Sequence, residues 1–264
     1  MKLKISAISD KGCVREHNED MVLIGDDIFR DDKRDLVLDL KDKQKFFVAV
    51  ADGMGGHNAG EVASELVLRK IVEKVQAIEE GLTEKDLADR FSIWAKEIHS
   101  FILEEGNKDI NKKGMGSTLI GVLFYGENVY YINVGDSRLY RLRRGNLAQI
   151  SKDHSLQEAM GSKEAPSNII LNSFGGGERI FIDFHPAGGV ILNGDILLLC
   201  SDGLSDMLSD DEIEGILNNE KDNAVDRLLD EAKRKGGEDN ISIILIYISL
   251  DDFSIEIQAS QDGK

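Results

Sequence analysis

Residues 46–75 read FFVAVADGMGGHNAGEVASELVLRKIVEKV. The first six residues are an unbroken apolar run, which is typical of a β-strand covered on both of its faces. Beyond the glycines, apolar residues recur at steps of four, which predicts an amphipathic helix carrying Ala63, Val67, Ile71 and Val75 on one side. The stretch therefore predicts a buried strand, a glycine-rich loop that begins at Asp52, and a helix packed on the sheet.

Similar apolar segments occur throughout the chain and predict strands at 3–9, 46–51, 118–125, 128–134, 137–143, 179–184, 195–201 and 241–249. Short turns such as YGEN and RRGN join the middle strands, which favours antiparallel hairpins over parallel crossovers. Two further helices begin at the capping patterns Thr83-x-x-Asp86 and Ser209-x-x-Glu212. A last one, near 225–232, ends in the basic and glycine-rich run KRKGG.

The order of elements is strand, helix pair, many strands, helix pair, strand. This order predicts an α+β architecture with an antiparallel sheet core and helices packed outside it. We expect one domain over residues 1–250 and a polar tail over 251–264. The charged stretch 30–45 and the Gly/Ser/Asn-rich stretch 161–178 are predicted to be surface excursions.

Composition excludes several classes of protein. The formal net charge of −17 would repel nucleic acid and anionic membrane, so we expect neither as a partner. The 2 cysteines form neither a disulfide framework nor a zinc pattern. The N-terminus has no apolar signal core, and the longest apolar run, ISIILIYISL, is too short to span a bilayer. We therefore expect a cytoplasmic protein.

Acidic residues stand at the ends of the buried strands. Asp52 and Asp202 each follow an apolar strand and precede a glycine, and Asp239 stands just before the last strand. Glu19 and Asp20 precede a short strand, MVLI, and Asp136 lies between two strands. Taken singly, an Asp-Gly pair is most simply a turn. Several carboxylates that converged at one edge, however, would repel one another unless they shared cations or were protonated.

Oxygen ligands of this kind suit hard divalent cations such as Mg²⁺ or Mn²⁺. No His/Cys cluster in the sequence competes for zinc or copper. From the residues alone, the prediction is a site for divalent cations at one edge of the sheet.

Six ordered blocks carry a resemblance to a known family: REHNED, VADGMGGHNAGEVAS, GMGSTL, NVGDSRLYRL, CSDGLSDMLSDDEI and GGEDNISIILI. They resemble the signature blocks of the protein phosphatase 2C (PPM-type) family, in its bacterial single-domain form. The resemblance spans roughly residues 5–248. It implies two stacked antiparallel β-sheets flanked by pairs of α-helices, a four-layer αββα sandwich.

The resemblance also implies the ligands of two metal ions, Mn²⁺ or Mg²⁺. Asp52 would bridge the two ions, and Asp202 and Asp239 would complete the first. Glu19 and the backbone carbonyl of Gly53 would serve the second.

Further roles follow from the same resemblance. Asp136, together with Asp202, would hold a weaker third ion, and Asp20 would orient a metal-bound water. Asn240 would have a supporting role. Arg15, four positions before Glu19, matches the phosphate-binding arginine, whose planar fork can grip two phosphoryl oxygens at once.

The implied activity is that of a metal-dependent protein serine/threonine phosphatase acting on phosphoserine and phosphothreonine. Two cations about 3.5–4 Å apart generate a bridging hydroxide near neutral pH, and that hydroxide attacks phosphorus directly. No phosphoenzyme is expected. Phosphorylated proteins are the implied substrates, and a cognate Ser/Thr kinase, which the enzyme would counteract in bacterial signalling, is an implied partner.

The chain departs from the family pattern in two places. Met54 stands where many eukaryotic members have histidine, so the leaving alkoxide would take its proton from a metal-bound water or from His57. His57 is equally readable as an ordinary loop histidine. The stretch between Asp153 and Arg179 matches the family's flap but is short, so it predicts little about substrate choice.

Three rival interpretations fit less well. A dinucleotide-binding loop starting at Gly53 would need a third glycine where the chain has Asn58, and no Walker motif is present. A catalytically inactive binding module would lack a metal ligand, and none is missing. A calcium-binding structural protein would need a D-x-[DN]-x-[DN]-G loop, which the chain lacks.

Overall fold

The computed structural model describes residues 1–41, 43–55, 59–161, 166, 169–187, 189, 191–220 and 222–250. Its strands, β1–β14, are Lys2–Asp10, Met21–Ile24, Asp27–Phe29, Lys33–Asp39, Lys45–Ala51, Gly53–Met54, Gly116–Ser117, Leu119–Tyr125, Asn128–Val134, Arg138–Arg143, Asn146–Gln149, Asp183–Pro186, Ile196–Cys200 and Ile241–Ser249. Its α-helices, α1–α6, are Ala59–Gln76, Glu84–Lys108, Leu156–Met160, Asp202–Ser205, Asp210–Asn219 and Ala224–Arg234, and a 3₁₀ turn spans Ile110–Lys112.

Two six-stranded sheets form the centre of the molecule. One has the order β11-β10-β13-β14-β1-β4 and the other the order β12-β9-β8-β5-β2-β3, while β6 and β7 make a separate short pair. Every pairing within the two large sheets is antiparallel. The predicted α+β architecture of two stacked antiparallel sheets flanked by helices is confirmed.

The apolar runs are continuous because both faces of their strands are covered. In β5, Phe46, Val48 and Val50 pack between the two sheets. The alternate residues, such as Phe47 and Ala49, pack instead under helices α1 and α2. Successive strand side chains point to opposite faces, so a strand buried on both sides needs apolar residues at every position. Strand β14 repeats this pattern between the second sheet and helices α4–α6.

The helices follow the sequence patterns closely. Thr83 caps α2 and accepts a hydrogen bond from the amide of Asp86, whose side chain in turn accepts one from the Thr83 amide. Ser209 and Glu212 form the same reciprocal cap on α5. These caps satisfy backbone amides that have no partner inside the helix. No helix in the described part of the chain is long and apolar enough to cross a membrane.

The prediction for residues 30–45 is wrong. Lys33–Asp39 is strand β4, which pairs with β1 along seven residues from Lys2↔Asp39 to Ile8↔Lys33. Most of its side chains are exposed, since β4 is the edge of its sheet and carries charges on both faces. Charged residues are a common feature of edge strands, and they remove the alternation by which a strand is usually recognised.

The prediction for residues 161–178 is also wrong in part. Phe174 is fully buried, and its backbone pairs with that of Ser117 in both directions. The strand predicted at 179–184 begins only at Asp183. The tail 251–264 lies outside the described residues, and the domain bounds 1–250 remain a prediction.

Candidate active site

Strand register brings the predicted acidic residues to one end of the sandwich, where strands of both sheets begin or end. We call this end of the sandwich the acidic edge. In one sheet, Met21 pairs with Ala51 and Leu119 with Val134. In the other, Cys200 pairs with Ile243, and Arg138 with Cys200. Since neighbouring strands are antiparallel, the end of one strand lies beside the start of the next. This edge therefore carries all six predicted acidic residues: Glu19, Asp20, Asp52, Asp136, Asp202 and Asp239.

The carboxylates of this edge interact with one another. Burial raises the pKa of Asp52 well above its ordinary value, and the negative charge of Asp202 raises it further. Burial likewise raises the pKa of Asp202, followed by the charge of Asp136. The pKa of Asp136 rises to about 6, chiefly through burial. Carboxyl groups that oppose one another's ionisation in this way favour either protons or cations among them.

Unsatisfied oxygens give a direct test of whether cations fit. Among the described residues, one carboxylate oxygen each of Asp20, Asp136 and Asp202 is buried without a hydrogen-bond partner. Buried acceptors normally have a partner, because leaving one unsatisfied costs free energy. The donor set is all oxygen and strongly acidic, which suits Mn²⁺ or Mg²⁺.

In the described part of the chain, the predicted ligand side chains do not converge on a single point. Within the described ranges, no three His, Cys, Asp or Glu side chains are gathered tightly enough to hold one ion. The contacts of Asp239 account for part of this: its Oδ2 accepts from Arg15 Nη2 at 2.5 Å, and its Oδ1 accepts from the amide of Asn240 at 2.8 Å. Carboxylates without a counter-charge also repel. By donor chemistry the residues fit divalent cations, although Asp239 is occupied by Arg15.

Glu19 is held by close contacts with the start of α1. Its carbonyl accepts from the Ser64 hydroxyl at 2.6 Å and from the Gly53 amide at 3.2 Å. A Cβ atom at Gly60 would lie 2.9 Å from the backbone carbon of Gly53 as well as 2.5 Å from Glu19 Oε1, and the backbone of Gly53 leaves no room for a side chain at this position. Burial raises the pKa of Glu19, partly offset by a hydrogen bond from the backbone of Gly60. Gly60 thus lets the first turn of α1 lie close to Gly53 and Glu19.

Asn240 holds the segment that carries Arg15 and Glu19. Its Nδ2 donates to the carbonyls of Lys11 and His17, both at 2.9 Å, and its Oδ1 accepts from the Glu19 amide at 2.7 Å. Three hydrogen bonds from one side chain fix this loop to the start of β14. The supporting role predicted for Asn240 has this structural basis.

Asp20 is more deeply buried than Asp136, at 1% against 7% exposed. Its Oδ2 accepts from the Ser201 hydroxyl at 2.7 Å, and Ser201 in turn accepts from the Ser242 amide at 3.0 Å. Burial raises the pKa of Asp20 to about 6, against the lowering effect of the Ser201 hydrogen bond.

Two residues of the site were missed by the sequence analysis. Arg30 donates to the carbonyls of Asp20 at 2.8 Å and Glu61 at 3.0 Å, and so joins the Glu19–Asp20 segment to α1. Its partners are far along the chain, and no local pattern reveals them. Asp206 raises the pKa of Asp202 by its charge. It follows Asp202 by four residues, one helical turn, and that spacing was a usable signal.

Arg15, Gly53 and the six acidic residues are thus all placed at one edge. His57 lies outside the described residues, so the structure says nothing about its predicted role.

Comparison with known proteins agrees with this geometry. The family model described as protein phosphatase 2C matches residues 23–236. The serine/threonine phosphatase stp of Listeria innocua is 32% identical over 256 residues, covering 92% of this chain and 94% of that protein. The serine/threonine phosphatase of S. agalactiae superposes with a TM-score of 0.80 at 29% identity, covering 94% of this chain and 100% of that one.

A third relative carries metal. The catalytic domain of the serine threonine protein phosphatase PstP, in complex with 2 manganese ions, superposes with a TM-score of 0.72 at 32% identity, covering 94% of this chain and 99% of that one. With the family model, the similar sequences and the shared fold in agreement, this chain belongs to the protein phosphatase 2C family of metal-dependent serine/threonine phosphatases.

Proposed function

We propose that the acidic edge is the catalytic centre of this protein serine/threonine phosphatase and that each of its residues has a distinct role in binding metal, water or phosphate. Asp52 would be shared by two Mn²⁺ or Mg²⁺ ions, Asp202 and Asp239 would complete the ligands of the first, and Glu19 with the Gly53 carbonyl would hold the second. The observation that supports this assignment best is the set of buried carboxylate oxygens that have no partner in the described part of the chain, on carboxyl groups that raise one another's pKa.

When bound, the ions supply Lewis acidity that activates water for direct attack on phosphorus. The chain supplies the rest. Asp20, 1% exposed and with no partner for Oδ1 among the described residues, is proposed to orient the attacking water. Arg15, half exposed at the mouth of the site, is proposed to grip the phosphoryl oxygens as charge builds on them. His57 is proposed to assist the leaving group.

Asp136, with Asp202, is proposed to hold a third and weaker ion. Asp136 is 7% exposed, and one of its carboxylate oxygens has no partner in the part of the chain that the structure describes. The Arg138 guanidinium lies nearby but is engaged by Asp153, with Nη2 2.7 Å from Oδ2. The positive charge of Arg138 is thus shared with Asp153, which leaves the burial of Asp136 to dominate its pKa.

The substrates are phosphorylated proteins. We further propose that a Ser/Thr kinase supplies them in the same compartment, the cytoplasm, and that this phosphatase counteracts that kinase. A comparison of phosphoproteomes from cells with and without the protein tests this. Phosphoserine and phosphothreonine sites that accumulate without the protein would support the proposal, and an unchanged phosphoproteome would contradict it.

The catalytic assignment is tested by turnover of p-nitrophenyl phosphate and of a phosphothreonine peptide with Mn²⁺, with and without EDTA. Asp52→Asn is expected to lower kcat by several orders of magnitude while circular dichroism stays native. Asp222→Asn is the matched control, since that carboxylate is 90% exposed and pairs with Lys4 rather than with a residue of the site. Turnover that survives both EDTA and Asp52→Asn would overturn the assignment.

A further inference from the structure

His154 holds the N-terminal side of the loop that bears Asp136, through its imidazole and its backbone amide. The amide of Gly135 donates to His154 Nδ1 at 3.1 Å, and the amide of His154 donates to the Gly135 carbonyl at 2.9 Å. Both backbone groups of the residue before Asp136 are therefore satisfied by His154. The imidazole is 8% exposed, so water does not readily replace it.

The tautomer of His154 follows from its neighbours. Asn172 Nδ2 lies 2.8 Å from His154 Nδ1. The amide of Asn172 cannot be reversed, because its Nδ2 donates to the Phe181 carbonyl at 2.9 Å and its Oδ1 accepts from the Phe181 amide at 3.2 Å. Nδ1 thus faces two donors and must accept. The proton sits on Nε2, 3.2 Å from Asp183 Oδ2, where the carboxylate can accept it.

The loop has little freedom to move away from this contact. Gly135 has a φ of +112°, and a Cβ atom there would lie 2.6 Å from Thr118 Cβ. Thr118 Oγ1 also bonds the hydroxyl of Ser137 at 2.8 Å and accepts from the Asp52 amide at 3.0 Å. Asp136 therefore stands between two anchored residues, one held by His154 and the other by Thr118.

We propose that His154 is a positioning residue for Asp136: its neutral imidazole fixes Gly135 and so couples the segment from Asn172 to Asp183 to the site. This inference rests on the proposed role of Asp136 as a ligand of the weakest of three ions. Residues that orient metal ligands from behind affect metal affinity by about 10–100-fold when they are lost. His154 touches neither substrate nor metal in this proposal.

A pair of near-isosteric variants separates positioning from simple stabilisation. His154→Asn keeps an amide near the position of Nδ1, where its oxygen can still accept from Gly135. His154→Gln instead places its amide near the position of Nε2, toward Asp183, and leaves the Gly135 amide without its acceptor. Circular dichroism and thermal unfolding establish that each variant is folded.

Three measurements are made on the whole chain. Hydrogen exchange of the Gly135 amide is followed without metal, Mn²⁺ binding is measured by calorimetry without substrate, and kcat and KM are measured against Mn²⁺ concentration. In His154→Gln we expect exchange at Gly135 to be about tenfold faster and the weakest Mn²⁺ affinity to fall about tenfold. The two tighter ions should bind as before, and His154→Asn should recover most of both losses.

Equal losses in His154→Asn and His154→Gln would overturn the inference, since a merely structural role does not distinguish them. Unchanged protection of Gly135 in His154→Gln would overturn it as well, and so would faster exchange with unaltered weak Mn²⁺ binding. Asp136→Asn serves as the reference variant. If Asp136→Asn left weak Mn²⁺ binding intact, the proposed role of Asp136 would fail. The hydrogen exchange of Gly135 would still test, on its own, whether His154 holds Gly135.

Discussion

Arg15 and Asp239 form an ion pair at the mouth of the acidic edge, with Nη2 2.5 Å from Oδ2. The pair is partly open to water, with 50% of the arginine and 35% of the aspartate side chain exposed. Arg15 is proposed to bind phosphate and Asp239 to bind metal. In this ion pair Arg15 therefore lies where a metal ion would contact Asp239, and Asp239 lies where a phosphate would contact Arg15. Exposed ion pairs contribute little to stability, which makes this one easy to exchange.

Arg15→Ala should therefore separate two functions. Loss of the fork should raise KM for a phosphopeptide at least tenfold with a smaller effect on kcat, because phosphate binding is lost before chemistry. Mn²⁺ binding without substrate should be as tight as in the parent protein or tighter, because a cation that competes for Asp239 is gone. Steady-state kinetics and calorimetry check these outcomes. An unchanged KM, or weaker Mn²⁺ binding, would contradict the assignment, and Arg15→Lys should restore charge without restoring KM.

Asp136→Asn should stabilise the metal-free protein at neutral pH. The pKa of Asp136 is raised from 3.8 to about 6 in the fold. Its contribution to stability is thus present below about pH 4 and is lost as pH rises toward 6, where the folded state must give up a proton held more tightly than in the unfolded chain. Two pKa units correspond to about 3 kcal/mol as an upper value.

Urea unfolding in EDTA at pH 4, 5, 6 and 7 measures this effect. Asp136→Asn should match the parent protein near pH 4 and exceed it in free energy of unfolding by roughly 1–3 kcal/mol at pH 7. Saturating Mn²⁺ should reduce or reverse the difference, since a ligand that binds only the folded state stabilises it. A pH-independent difference would show that the burial of this carboxyl group is not the cause.

Arg30→Met should weaken both the fold and the site. The substitution removes the Arg30 hydrogen bonds to the half-buried carbonyls of Asp20 and Glu61 and the ion pair with the Glu61 carboxylate, at a cost of about 1–3 kcal/mol in the free energy of unfolding. Mn²⁺ binding should weaken too, because the Glu19–Asp20 segment loses its tie to α1. Arg34→Met is the matched control: Arg34 donates to exposed carboxylates, and its loss should leave Mn²⁺ binding unchanged. Equal effects of the two substitutions on Mn²⁺ binding would refute a specific role for Arg30.

Phe174→Ala should destabilise the protein as a core substitution does. The ring is fully buried in the core beneath α1 and α2, so its loss should cost about 3–5 kcal/mol in urea unfolding. Phe181→Ala is the comparison, since that ring is 55% exposed and should cost under about 1 kcal/mol. Similar values for the two would mean that the segment around Phe174 is not part of the core.

The sequence predicted most of the fold and the six acidic positions for one physical reason. A strand that is buried on both faces has an unbroken apolar run in the sequence, so the run shows where the strand ends. An aspartate at that end is then easily recognised. The runs before Asp52 and Asp202 and after Asp239 carry this signal. The family blocks then assigned a separate role to each position, which the aspartates alone do not provide.

Strand β4 and Phe174 escaped prediction because their signals are not local. Strand β4 has charged residues on both faces and is defined only by its pairing with β1. Phe174 is surrounded in sequence by Gly, Ser and Asn residues, yet it is buried because Ser117 pairs with its backbone. In each case a partner far along the chain decides the structure.

The order of residues along the chain is enough to show which residue types stand at the strand ends and, through the ordered blocks, which family the chain belongs to. The way those residues are held depends on the folded arrangement: Asp239 is held by Arg15, Glu19 by Asn240 and Ser64, Asp20 by Ser201, and the Asp136 loop by His154. Hydrophobic patterning is local and periodic, so it can be recognised in the sequence alone. A hydrogen bond between residues 200 positions apart has no such pattern and exists only once the chain has folded.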